Sequence, residues 1–371
     1  MPYKLLYSNR LFENAEKITL FCNQSSYDFQ QKKYLFDILI DAGKLSGLLL
    51  PEHGLFSELQ DQENVASIKY KGIPCFSMYD KKMNHTGPNI ESLANTDLLI
   101  IDINDVGVRY FTYATHMFAL LNYVSSCHPD LQVIIIDRAN PIGKKVEGTI
   151  IDERYTSFLG VSGMIHRHGM STGELCEWYI KFKKITLQFA KIRYNHSWQS
   201  KHFISPSPNL PNAASLFVYP GQCFWEATTF SEGRGTTRPF ELFGHPDLTN
   251  MQLENISFLF NRRFNGMAFL RPTSFIPIFH KHSGVVCHGW HLSVEDHSKY
   301  HTLLGTLIIM RWVKEYFSGD DFWRQGSYEF DSKATAAQLL IGDDELINFV
   351  NGDNDEEAIW EKMTVAQHVW V

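Results

Sequence analysis

Short apolar runs alternate with amphipathic stretches through the first half of the chain. Ile18-Thr19-Leu20-Phe21-Cys22 reads as a buried strand. Tyr34, Leu35, Ile38 and Leu39 then recur at helical spacing up to Gly43, a natural stop. Further apolar runs at 47–50, 97–102 and 132–137 read as strands, with a helix predicted over 112–126. Unbroken apolar strands separated by helices predict a parallel sheet covered on both faces, hence an α/β fold. A helix over 171–183 and a strand over 188–194 continue the alternation. From about residue 248 the pattern changes. A helix over 251–264, strands near 267–270 and 285–294, and a helix over 301–317 describe a smaller α+β domain. The expected division is therefore 1–245 and 246–371, in keeping with roughly 150 residues per domain as a soft prior.

Polar clusters follow three of these strands directly: Pro51-Glu52-His53-Gly54, Asp102-Ile103-Asn104-Asp105 and Asp137-Arg138-Ala139-Asn140-Pro141. Open α/β sheets bind ligands beyond the carboxyl ends of their strands, so the chemistry is expected on one rim. Two irregular segments join it. Residues 205–212, Ser-Pro-Ser-Pro-Asn-Leu-Pro-Asn, hold three prolines and cannot be regular structure. Residues 231–239 form a glycine-bearing polar loop.

Composition narrows the function classes. The net charge is −7 with no Lys/Arg stripe, so the electrostatic footprint of a nucleic-acid partner is missing. Acidic residues gather at 342–345 and 353–357, which reads as solvated surface. Six cysteines are scattered without a C-x-x-C pair, so neither a zinc knuckle nor a redox motif appears, and a reducing compartment fits. No run of about 18 apolar residues predicts a membrane span, and the first residues show no export leader. The expectation is a cytoplasmic protein. Aromatics reach 14%, and most are expected to fill cores.

Walker A, G-x-G-x-x-G and H-E-x-x-H patterns are all absent. His166 and His168 lack a defined third ligand, so core histidines are the better reading and no metal is expected. What remains is carboxylate, arginine and tyrosine chemistry. Glu52 follows an apolar strand and a proline, where partial loss of water favours the protonated form that a general acid needs. Asp102 and Asp105 share the neighbouring rim with Arg109, Tyr110 and Tyr113, and Glu232 lies in the glycine loop with Arg234 and Arg238. Ser171 and Glu174 match a capping box, which competes with any catalytic role for Glu174. Glycosidic cleavage uses two carboxyl groups, and several candidates exist. Arg109 and Arg234 are candidates for gripping a substrate carboxylate, and pairing with Asp105 or Glu232 is the equal alternative.

Taken together, these clusters resemble the NamZ-type exo-β-N-acetylmuramidases. The resemblance rests on Pro51-Glu52-His53-Gly54-Leu55, the stretch 102–113 (DINDVGVRYFTY), Asp137-Arg138-Ala139-Asn140-Pro141, the stretch 167–175 (RHGMSTGEL), Pro206-Ser207-Pro208-Asn209-Leu210-Pro211, Tyr219-Pro220-Gly221 and the stretch 231–240 (SEGRGTTRPF). It spans nearly the whole chain in the family's order. It implies a Rossmann-like, mostly parallel N-terminal domain, a smaller C-terminal domain and a cleft between them. It also implies release of terminal N-acetylmuramic acid from peptidoglycan fragments that contain N-acetylmuramic acid and N-acetylglucosamine, without a cofactor. The lactyl carboxylate of that sugar would be the group an arginine grips. Glu52 is the first choice for the catalytic acid, with Glu174, Glu232 and Asp105 as further catalytic candidates. His53, Arg109, Tyr110, Tyr113, His168, Asn209 and Arg234 are the expected substrate-binding residues. Three departures stand out: Asn104 where the family usually has Gln, Ala139 where it has Pro, and Phe56-Ser57 where it has Arg-Gly. The last motivates a competing expectation, a muropeptide-binding protein without turnover.

Overall fold

A computed structural model describes residues 3–60, 63, 69–80, 85–88, 90–194, 203–317, 322–329 and 331–370. Its residues group into two compact units, 1–107 with 111–144 and 169–208, and 108–110 with 145–168 and 209–371.

In the first unit the apolar runs become the strands of one sheet. They are β1 (Ile18–Cys22), β2 (Leu45–Leu50), β3 (Ile73–Ser77), β4 (Leu98–Asp102), β5 (Gln132–Asp137) and, after two strands of the other unit, β8 (Phe189–Arg193). The order across the sheet is β8-β5-β4-β1-β2-β3, ending in the short strand Lys69–Tyr70. All pairs among the six are parallel, with Ile18 opposite Leu98 and Leu48 opposite Cys75; only Lys69–Tyr70 pairs antiparallel. The chain thus builds outward from β1 to β3, then returns to the other side of β1 for β4. That is the doubly wound Rossmann order, and its switch point lies between β1 and β4.

Helices α1 (Leu35–Asp41), α2 (Tyr113–Cys127) and α3 (Thr172–Lys183) make the crossovers between β1 and β2, β4 and β5, and β5 and β8. Alternate strand residues Ile18, Leu20, Leu48, Leu50, Leu98, Ile100, Ile134 and Ile136 form one cluster with Leu35, Phe36 and Leu39 of α1. The residues between them, Phe21, Leu49, Leu99, Ile101, Val133 and Ile135, are equally buried. Both sheet faces are covered, which is why the strands read as unbroken apolar runs. The sequence pattern did not reveal β3, because Pro74 and a half-buried face interrupt its apolar run.

The second unit contains the pair β6 (Glu147–Ile150) and β7 (Ile165–Arg167), α4 (Ala213–Gln222), β9 (Leu242–His245), α5 (Asn250–Arg263), β10 (Ala268–Phe275), β11 (Cys287–Val294), α6 (Thr302–Tyr316), α7 (Ala336–Ile341), α8 (Asp344–Asn351) and α9 (Glu356–Trp370). The sheet is antiparallel, ordered β9-β11-β10. Strand β10 runs past the expected end at residue 270 and through Pro272. It can do so because it is an edge strand, where a missing N–H costs no ladder bond. One residue of the acidic runs is a second correction. Glu345, Asp353, Asp355 and Glu357 are exposed as read from sequence, and only Asp343 departs from that reading: it caps α8 and is itself buried, while Gly342 is the left-handed stop of α7 and Glu356 and Glu357 form the first turn of α9. Among the described residues no helix is long and apolar enough to cross a membrane.

Candidate active site

The switch point predicts that the loops after β1, β2 and β4 hold the chemistry, and in the first unit several expected residues do meet there. Strand β2 ends at Leu50, and Pro51 leads into a turn that buries Glu52, leaving it 3% exposed. The next two residues, His53 and Gly54, have φ of 75° and 84°. Gly54 fits for a second reason, since a Cβ there would meet the Glu58 carboxylate at 2.9 Å. His53 has no such excuse, and left-handed backbone at a non-glycine residue is the strain found at functional turns. Its Nδ1 lies 2.9 Å from the Leu59 carbonyl, and its own carbonyl accepts from the Leu59 N–H, so the turn is closed on itself.

Helix α2 faces this turn with its first residues. The Thr112 hydroxyl donates to Glu52 Oε2 at 2.7 Å. One turn on, His116 Nε2 lies 3.4 Å from the Glu52 backbone N–H. Burial pushes the His116 imidazole down to about 3, so the ring is neutral and its Nε2 can accept. Between them, the Tyr113 hydroxyl donates to the Pro206 carbonyl at 2.7 Å and accepts from Asn23 Nδ2 at 3.2 Å. Burial raises the Tyr113 phenol, so it stays protonated and able to donate. Ser57 adds a second hydroxyl to the Pro206 carbonyl at 3.2 Å, and Gln24 donates to the Ser205 carbonyl at 2.8 Å. The proline segment is thereby pinned to the turns after β1 and β2.

Other expected residues of this unit serve local structure. Asp105 Oδ2 accepts from the Gly107 N–H at 2.7 Å and closes the turn after β4. Gly107 has φ 87° and would strike Asn140 if it carried a Cβ. Glu174 completes the capping box of α3: its carboxylate accepts from the Ser171 N–H at 2.8 Å, and Ser171 accepts from the Glu174 N–H. That backbone N–H holds its carboxyl below the usual range.

The remaining candidates belong to the second unit. Arg109 is fully buried and donates to the carbonyls of Leu159, Leu339 and Leu340 at 3.3, 3.3 and 2.7 Å. Asp105, the structural partner weighed from sequence, is not among the groups these bonds reach. Desolvation lowers its guanidinium to about 10. Tyr110 donates to the Pro220 carbonyl inside α4. Glu232 lies among Lys281 at 2.7 Å, His280 at 3.1 Å and Arg234 at 3.5 Å. Burial pushes its carboxyl up, but these cations outweigh burial and hold it far below the usual range. Arg234 also pairs with Glu226 at 2.7 Å. His166 is a core histidine, its Nε2 donating to the Ile341 carbonyl at 2.7 Å while Nδ1 accepts from the Thr149 N–H at 2.9 Å. The His168 carbonyl accepts from Trp370 Nε1 at 3.0 Å, and Asn209 is buried at the head of its segment.

The structure therefore gathers Glu52, His53 and Tyr113 with three residues that sequence reading did not single out: Thr112, His116 and Ser57. A Thr and a His four positions apart at a helix start, just past a polar rim, was the available signal.

A family model described as exo-beta-N-acetylmuramidase NamZ, N-terminal, matches residues 18–214, and its C-terminal counterpart matches residues 217–370. The peptidoglycan beta-N-acetylmuramidase NamZ of Bacillus subtilis (strain 168) is 35% identical over 298 residues, covering 77% of this chain and 70% of that protein. Two crystal structures of DUF1343 family proteins from Bacteroides fragilis share the fold. One has a TM-score of 0.82 at 23% identity over 100% of this chain and 95% of that one. The other has 0.74 at 26% identity over 98% and 94%. With both halves matched in order along the strands and turns described above, the chain belongs to the NamZ family of exo-β-N-acetylmuramidases and is a glycoside hydrolase.

Proposed function

We propose that this enzyme releases N-acetylmuramic acid from the non-reducing ends of peptidoglycan-derived sugar chains, with Glu52 as the general acid. The observation that supports this reading is a buried carboxyl at the carboxyl edge of the sheet, one oxygen of which is held by the Thr112 hydroxyl. Its proton passes to the bridging oxygen as the bond from that oxygen to C1 of the muramic acid breaks. Water supplies the hydroxyl that completes C1. His53 lies in the same turn, and Tyr113 stands beside it in the first turn of α2. Glu174 and Glu232 rank below Glu52, because a helix cap and a three-cation cluster already engage their oxygens. Asp105 remains a candidate for the second carboxyl, and Asn209, His168, Arg234, Arg109 and Tyr110 remain candidates for substrate contact.

Mass spectrometry of products from a defined disaccharide, N-acetylmuramic acid linked β-1,4 to N-acetylglucosamine, tests the reaction. Two free sugars are expected. Tight binding by calorimetry without product would instead mark a muropeptide-binding protein. For the residue, Glu52→Gln is expected to lower kcat by about 10² to 10⁴-fold with an unchanged unfolding midpoint. Turnover unaffected by that change would remove Glu52 from the role.

A further inference from the structure

Thr112 stands at the N-cap of α2, the position where a threonine ordinarily accepts a hydrogen bond from the N–H two or three residues on. Here it makes no side-chain cap bond, and its backbone is in the helical region (φ −60°, ψ −12°) rather than extended. Other helices of the chain do use such caps: Ser171, Asn212, Thr249 and Thr335 each accept from their third residue. The Thr112 hydroxyl is spent on Glu52 Oε2 at 2.7 Å, in a site where Thr112 is 8% and Glu52 3% exposed.

We infer that Thr112 is a positioning residue for the reaction: by donating to Oε2 it holds the Glu52 carboxyl in the orientation from which its proton is transferred. This rests on the reading of Glu52 as the general acid. The same hydrogen bond favours the carboxylate that forms once the proton has left. Titratable groups described near Glu52 include His53 and Glu58 in its own turn and Tyr113 and His116 on α2. Of these, His116 is neutral through burial and Tyr113 is protonated, so neither brings a charge to Glu52.

The test uses Thr112→Val, which keeps the shape and removes the donor, and Thr112→Ser, which keeps the donor. Activity on the defined disaccharide is followed across pH. For Thr112→Val, kcat is expected to fall about tenfold with KM within about twofold, since a misaimed acid costs the chemical step more than binding. Losing a donor to the carboxylate also moves the alkaline limb of the pH–rate profile up by about one pH unit. Thr112→Ser restores both. Removing the donor leaves a buried acceptor short of a partner, so a lowered unfolding midpoint is expected for Thr112→Val and is regained in Thr112→Ser, and kcat is compared on folded enzyme. Parent-like kcat and pH limb in Thr112→Val overturn the inference, as does a loss of kcat with an unmoved limb that Thr112→Ser fails to restore. Full turnover by Glu52→Gln would instead overturn the reading of Glu52 itself, so the two failures are distinguishable.

Discussion

At Ser57 the backbone has φ 53°, a left-handed conformation that costs a side-chain-bearing residue about 1 kcal/mol or more. This is a position where the resemblance to the family implies glycine. The serine is accommodated because its hydroxyl reaches the Pro206 carbonyl, so the departure read from the sequence leaves the turn after β2 intact. Ser57→Gly is expected to be more stable than Ser57→Ala by about 1 kcal/mol, read from urea unfolding midpoints, because only alanine combines the strain with a lost donor. Arg109 makes the complementary case. Its donors go to three buried carbonyls, so Arg109→Met is expected to destabilise the second unit by about 3 kcal/mol or more. A parent-like midpoint with a raised KM would return Arg109 to the role of substrate ligand.

Among the elements, the helix starts distinguish structural polar residues from chemical ones. Helix α3 begins with the reciprocal box of Ser171 and Glu174, legible in the sequence as S-x-x-E before an apolar stretch. Ser171→Ala is expected to cost about 1 kcal/mol. Glu174→Gln preserves the box and is expected to leave kcat within about twofold; a hundredfold loss would restore Glu174 as a catalytic group. Helix α2 differs. Its N-cap threonine looks like an ordinary cap in sequence, and only the approach of the turn after β2 diverts the hydroxyl to Glu52. Helix α4 escaped sequence reading because Pro220 lies within it, near its end, where one missing backbone donor is tolerated.

For the molecule as a whole, buried histidines in both units set the response to acid. His116 in the first unit and His166 in the second each titrate near 6.5 when unfolded, and burial pushes both down to about 3 in the fold. As pH falls below about 6.5 the unfolded chain takes up these protons first. Stability is therefore full above that value and declines toward pH 3, by up to about 1.4 kcal/mol per pH unit per histidine. Glu147 and Glu232, held low by neighbouring cations, add losses of the same sign below their ordinary range. Unfolding midpoints measured between pH 7 and 4 are expected to fall steadily, and His166→Gln to flatten the slope for the second unit. A flat profile would contradict the burial of these rings.

The periodicity of apolar residues was sufficient for a parallel sheet covered on both faces, though not for β3 or the strand order, since strands covered on both faces must be apolar throughout and their crossovers amphipathic. It was also sufficient to put Glu52 on the carboxyl rim and Ser171 with Glu174 at a helix start, because both follow from adjacency along the chain. Which polar groups meet could not be read that way. Thr112 lies 60 positions from Glu52, and the Leu339 and Leu340 carbonyls lie some 230 positions from Arg109. Only the closing of the sheet and of the second unit brings such groups within hydrogen-bonding reach, because a side chain's partner is selected by distance in space and not by position in sequence.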